Sequence, residues 1–224
     1  LDFVSNHVHE DHPVVIDHPE WRTPLDLPDG RKNIRIWEDE RLTTWFDTFL
    51  PSLDHSIPEV TDMLSDTALF WVKDYGFDGF RHDAAKHIPQ DFWRTLTRKI
   101  KQEVVVEQGK PIFQLGETFG SRELIGSYIG SGMMDGKFDF NLYFDARNVF
   151  AMDSEDFDRL GTSLQSTLSY YGHHHLMGNI TGNHDLPRFI CYAGDALKFG
   201  EDEKEAGWNR DIKVENPIGY QKLE

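Results

Sequence analysis

The chain has 224 residues, 38% hydrophobic and 13% aromatic, enough apolar material for a packed interior and too much for a disordered chain. Its formal net charge of −16, from 39 acidic and 23 basic residues, repels phosphate backbones and anionic lipid, so nucleic acid and membranes are excluded as expected partners. No apolar run approaches the ~20 residues that span a bilayer, and the single Cys191 rules out an internal disulfide framework without fixing the compartment, for which an exported location is favoured over a cytoplasmic one.

The opening LDFVSNH (1–7) sets β-forming residues ahead of a polar end and predicts a buried strand running into a functional loop. Residues 8–55, rich in Pro, Asp, His and Trp, are too many for a plain crossover and predict a long excursion after that strand. Over 58–75, Val60, Met63, Leu64, Thr67, Ala68 and Trp71 recur at helical spacing. Ser56 and Glu59 fit a capping box, Pro58 suits the first turn and Gly76 a left-handed terminus. GFDGFRHD (76–83) predicts the next strand, 90–103 a helix with Phe92, Leu96 and Ile100 on one face, and PIFQLGET (111–118) a third strand. MMDGKFDF (133–140) predicts a further strand, 155–171 a helix closed by Gly172, and MGNITGNHD (177–185) a last strand, weaker in β-formers. The triple His173–His175 reads as a polar loop, since consecutive side chains diverge and make poor joint metal ligands.

Strand alternating with helix predicts a parallel α/β fold. Asp83 and Glu117 stand about one strand-plus-helix unit of ~30 residues apart, and Glu117 and Asp185 about two. In such folds functional groups gather at the carboxyl ends of strands, and here those ends carry Asn6 and His7, Arg81 and Asp83, Glu117, and His184 and Asp185. Arg81 and Asp83, two apart, point the same way from a strand, so the guanidinium holds the carboxylate ionised and oriented. Glu117 ends an apolar strand, surroundings that favour a proton donor. Two carboxylates with divided roles suit cleavage of a glycosidic bond. Each motif alone also reads structurally: Arg-x-Asp as an ion pair, Asn-His-Asp as a capped turn.

Taken in order, DFVSNH, LPSLDHS, GFRHDAAKH, LGET and TGNHD resemble the signature regions of the α-amylase family of glycoside hydrolases. The resemblance runs nearly end to end and implies a TIM (β/α)8 barrel, here incomplete, from its third strand to beyond its seventh. Residues 1–224 would be the catalytic barrel portion, 8–55 a short domain inserted after the third strand, and the whole a piece of a longer protein. It implies a retaining α-glucan hydrolase of the α-amylase, neopullulanase or cyclomaltodextrinase type. Asp83 would be the nucleophile, Glu117 the acid/base and Asp185 the third carboxylate. His7, Arg81 and His184 would hold the sugar, with Lys86 and His87 on the leaving-group side. The chemistry requires no cofactor. A structural Ca²⁺ with Asn6 as a ligand is part of the pattern, but Ser52 stands where an Asp is expected, which weakens such a site. A glycosyl-transferring or isomerising enzyme, and a non-catalytic carbohydrate-binding relative, are the alternative expectations.

Overall fold

A computed structural model describes residues 1–198, 200–210 and 212–223. In chain order its elements are β1 (Asp2–Phe3), α1 (Pro13–Asp17), α2 (Pro58–Tyr75), β2 (Gly79–His82), α3 (Gln90–Ile100), β3 (Phe113–Gly116), α4 (Arg122–Gly126), β4 (Gly136–Lys137), α5 (Phe140–Ala146), α6 (Phe157–Tyr171), α7 (Phe189–Ala193), α8 (Glu203–Asn209) and α9 (Ile218–Leu223). The chain divides into two compact units. The first comprises Leu1–Phe119 and Leu124–Lys137, the second Gly120–Glu123 and the residues from Phe138 onward.

The first unit holds a sheet of order β1-β2-β3-β4 in which every pairing is parallel, with Asp2 opposite Arg81, Arg81 opposite Leu115, and Gly116 opposite Lys137. Parallel neighbours cannot be joined by a tight turn and need a crossover. Helix α2 supplies it between β1 and β2, and α3 between β2 and β3. Their apolar stripes bury Leu64, Ala68, Val72, Phe92, Trp93, Leu96 and Ile100 against Phe3 and Phe80 of the sheet, removing from water the area that stabilises the layer.

Helix α2 starts at Pro58 and ends on Gly76, whose φ of 72° is the left-handed conformation expected there. Its N-terminus differs from the predicted capping box. Ile57, whose side chain has no polar atom, is the N-cap, and Ser56 is instead held by Asp54 Oδ1, which accepts from its amide and hydroxyl at 2.9 and 2.6 Å. Helix α3 gives way to a π-helical stretch, Lys101–Val106, where the β-branched run Val104–Val106 is a poor helix former.

Residues 8–55 form α1, a 3₁₀ turn at Pro19–Trp21 and isolated bridges such as Arg22 with Leu53 and Ile34 with Trp45. Side chains hold the segment together: Trp45 Nε1 donates to the Thr23 carbonyl at 3.0 Å and Asn33 Nδ2 to the Thr43 carbonyl at 3.1 Å.

In the second unit α6 begins at Phe157 behind the cap of Asp156 and closes on Gly172. Asp139 caps α5 through Leu142 N at 3.0 Å and accepts from the Thr167 hydroxyl of α6 at 2.5 Å. The strand predicted over 177–185 does not form; a single parallel bridge joins Gly178 to Phe138. Gly178, Asn179, Gly182 and Asn183 leave too few β-formers to sustain a ladder. The strand predicted over 133–140 shrinks to the two residues of β4. Among the described residues no helix is long and apolar enough to cross a membrane.

Candidate active site

Strands β2 and β3 end side by side, and their ends carry the carboxylates that the sequence singles out. Glu117 N donates to the His82 carbonyl at 2.8 Å, and the Glu117 carbonyl accepts from Ala85 N at 2.9 Å. The two strand ends are thereby laced together beyond the sheet. Ala84, next to Asp83, has a φ of 49°, a left-handed conformation that a side chain makes costly and that surrounding structure must hold.

Arg81 occupies the centre of this corner. Its Nη1 donates to Asp83 Oδ1 at 2.6 Å and Asp2 Oδ1 at 2.9 Å, and its Nη2 to Glu117 Oε2 at 2.5 Å. Burial alone would lower the guanidinium's proton affinity, but bonds and charges from Asp2, Glu117 and Asp83 outweigh it and hold the group above its ordinary value. Glu117 is 5% exposed, so its carboxylate is removed from bulk water while bonded to a cation.

His7, beyond β1, stacks on Phe46 with ring centroids 4.3 Å apart. Burial lowers its pKa, and the charge of Asp83 pulls it partly back, so this imidazole feels the same corner. Lys86 and His87 are tied to the 8–55 segment. Lys86 Nζ pairs with Glu38 at 3.3 Å, and His87 Nδ1 donates to the Arg41 carbonyl at 2.7 Å. Burial first, then the cations Lys86 and Arg41, push His87 down to about 4 against that bond. Arg41 in turn donates from Nη1 to the Lys86 carbonyl and, at 2.7 Å, to the Tyr128 hydroxyl. Asn6 Nδ2 donates to Ser52 Oγ at 3.2 Å, and Ser52 Oγ to the Thr44 carbonyl at 2.6 Å.

His184 and Asp185 lie in the second unit on an exposed turn, with His184 Nε2 3.4 Å from Asp185 Oδ2. The Asp185 amide donates to Asn183 Oδ1 at 2.9 Å, a local side-chain turn and not the strand end expected from sequence.

Two residues near the corner escaped sequence reasoning. Lys137 of β4 is fully buried; its Nζ donates to Thr118 Oγ1 at 3.2 Å and sits 4.8 Å from the centre of the Tyr128 ring. Burial holds its amine well below the usual lysine range, with the Glu117 charge pulling the other way. His82 of β2 is equally buried, bonded through Nε2 to Gln114 Oε1 at 3.2 Å. Burial is the first cause of its fall to about 3, which the Gln114 bond opposes and the Lys137 charge reinforces. The available signal was a Lys and a His inside short strands that parallel pairing buries on both faces.

A parallel α/β segment with carboxylates at adjacent strand ends defines part of a (β/α)8 barrel, left incomplete among the described residues. The chain belongs to the α-amylase family: the sequence profile "Alpha amylase, catalytic domain" matches residues 1–207. It is 25% identical over 199 residues to Alpha-amylase 2 of Dictyoglomus thermophilum, covering 87% of this chain and 33% of that protein. It is 29% identical over 154 residues to the cyclomaltodextrin glucanotransferase of Geobacillus stearothermophilus, covering 66% of this chain and 20% of the relative. The crystal structure of the α-amylase from Geobacillus thermoleovorans complexed with acarbose superposes with a TM-score of 0.73 at 26% identity, over 100% of this chain and 55% of that one. The chain thus spans about a third or less of these two curated relatives.

Proposed function

We propose that the protein to which this chain belongs is a retaining α-glucan hydrolase, with Asp83 as nucleophile and Glu117 as acid/base. The observation that carries the reading is the single guanidinium of Arg81 bonded to both carboxylates. Neighbouring parallel strands run ~4.8 Å apart, and a retaining pair of carboxyls stands ~5–5.5 Å apart where an inverting pair needs ~6.5–9.5 Å. Two carboxylates on one guanidinium at adjacent strand ends favour the shorter class.

In this mechanism the Asp83 carboxylate attacks the anomeric carbon while Glu117 gives its proton to the departing glycosidic oxygen, leaving a glycosyl ester on Asp83. Glu117, now a base, takes a proton from water as that water displaces Asp83, and both side chains return to their starting state. Asp185 binds sugar hydroxyls and stabilises the oxocarbenium-like transition state, a role it takes from the family resemblance. His7 and His184 would hold the same sugar, and Lys86 and His87 the leaving-group side. Arg81 has both terminal nitrogens committed to carboxylates, so we assign it the positioning of the pair rather than direct sugar contact. Residues 1–224 would be barrel, with 8–55 inserted.

The reaction draws on carboxylates and water and needs no cofactor. For a structural Ca²⁺ the donor set beside Asn6 fits poorly. The ion prefers six to eight oxygens, several of them charged; Ser52 brings no charge and its hydroxyl is given to Thr44, while the Arg41 guanidinium, a cation, already holds the Lys86 carbonyl. We therefore read the junction of 8–55 with the sheet as held by hydrogen bonds without calcium.

Glycosyl transfer to a sugar acceptor is the second reading, favoured by the likeness to a glucanotransferase. The test is release of reducing sugar from soluble starch, maltoheptaose and pullulan by the complete protein, run beside D83N. Activity lost with Asp83 supports the glycosidase reading, and products longer than the substrate would select transfer. A folded complete protein inert on every α-glucan would leave only a binding role.

A further inference from the structure

Lys137 is a buried titratable group that the double displacement does not use. It faces Gly116 across the β3–β4 pairing, and its Nζ fills the place that a side chain at Gly116 would take: a Cβ there would lie 2.4 Å from Nζ and 2.3 Å from Met134 Sδ. On the other side of residue 117, Thr118 Oγ1 accepts from Nζ at 3.2 Å and donates to the Glu117 carbonyl at 2.8 Å. The amine therefore touches both neighbours of Glu117 and reaches its peptide through one hydroxyl. Alternation along a strand turns Gly116 and Glu117 to opposite faces, so the charge acts on Glu117 from behind the strand, on the side away from Arg81. The Tyr128 ring 4.8 Å from Nζ favours the charged form of the amine.

We propose that Lys137 is a positioning residue for Glu117, its ammonium fixing the strand end and setting the pH at which the Glu117 carboxyl takes up its proton. The proposal rests on Glu117 being the acid/base. The charged or titratable groups on the elements around Lys137 include Glu117 on β3, Arg81 and His82 on β2, and, on the segment before β4, Tyr128 and Asp135, whose Oδ2 accepts from Gln114 N at 2.8 Å. His82, pushed by burial to about 3, stays neutral while carboxyls titrate. Arg81 stays charged throughout. Lys137 is thus a cation beside Glu117 whose removal leaves the bridge from Arg81 intact. The bond to Thr118 Oγ1, the face of the Tyr128 ring and the Glu117 charge all work against burial in favour of the ammonium.

The test is the titration of the Glu117 carboxyl by ¹³C NMR in the complete folded protein, assigned with E117Q and repeated in K137M and G116A. Removing the ammonium, or displacing it with a methyl at 116, should raise the midpoint by several tenths of a pH unit, since a nearby cation favours the carboxylate. An unchanged midpoint in a folded K137M protein overturns the proposal. Should both variants fail to fold, the Lys137 Cε resonance of the wild type decides: a step in the acid range that E117Q removes supports the coupling, and a flat trace overturns it. Neither readout needs turnover, so an inactive protein would count against the glycosidase reading and leave the coupling measurable.

Discussion

Arg81 joins β2 to β3 through its side chain: Nη2 donates to Glu117 Oε2 at 2.5 Å, from a guanidinium that also holds Asp83 at 2.6 Å. One planar cation thus fixes the separation and the facing of two carboxylates borne by different strands. Such a fork fits carboxylates in a way that an ammonium, a point charge on a flexible stem, does not.

If Asp83 forms the ester and Glu117 moves the protons, D83N and E117Q in the complete protein should each lower kcat on maltoheptaose by at least ~10³-fold. The two differ with an activated substrate. A good leaving group needs no proton, so E117Q should recover part of its loss on an aryl maltoside while D83N should not. Equal recovery in both would reverse or abolish the assigned roles.

For Arg81, methionine keeps the stem and removes the fork. With Glu117 5% exposed, R81M takes the guanidinium from a buried carboxylate, a loss of about 3 kcal/mol in stability, read from the urea midpoint at neutral pH. R81K should restore part of the stability but little turnover, because one ammonium cannot hold both carboxylates in a fixed plane. A lysine variant with near-normal kcat would show that the bridge is structural only.

His82 links the sheet interior to pH. It is unprotonated in the folded state down to about 3 but takes a proton near 6.5 when unfolded. Between these values the unfolded chain binds more protons, so stability rises with pH. The contribution of neutral His82 is therefore fully present above about 6.5 and is lost as pH falls toward 3, on the order of 2 kcal/mol by pH 5. The unfolding free energy measured at pH 7 and pH 5 should show that difference, and H82Q should flatten it. A slope unchanged in H82Q would place the acid sensitivity elsewhere, His87 being the next group to test.

The carboxylates at 83 and 117 were legible because each ends an apolar run behind a turn signal, and about one strand-plus-helix unit separates them. Helix α2 was legible to the residue for the same kind of reason, a long periodic stripe between Pro58 and Gly76. The 177–185 segment was misread because its likeness to a strand lay in its polar ending, while Gly178 and Gly182 deny it a ladder. The burial of Lys137 had a signal in its short parallel strand, but its contact had none: what places its amine beside Thr118 is the missing side chain of Gly116 on another strand, a relation with no local pattern. The tie from Arg41 to Lys86 and Tyr128 is equally non-local.

That tie bears on what holds the 8–55 segment to the sheet. A bound metal that stabilised the junction would add RT ln(1 + [L]/Kd), about 2.7 kcal/mol at a hundredfold excess over Kd, and its removal would be plain in a melting curve. With Ser52 committed to Thr44 and Arg41 to the Lys86 carbonyl, EDTA should leave the melting temperature within about 1 °C of its value in calcium, since the corresponding free energy is close to zero. R41A should lower it, because it strips donors from the Lys86 carbonyl and the Tyr128 hydroxyl at a cost of about 1–2 kcal/mol, or roughly 2–4 °C per kcal/mol in a chain of this size. A chelator-induced drop as large as that of R41A would mean that an ion, and not the guanidinium, organises this corner, and the charged oxygens it needs would have to be sought outside Asn6 and Ser52.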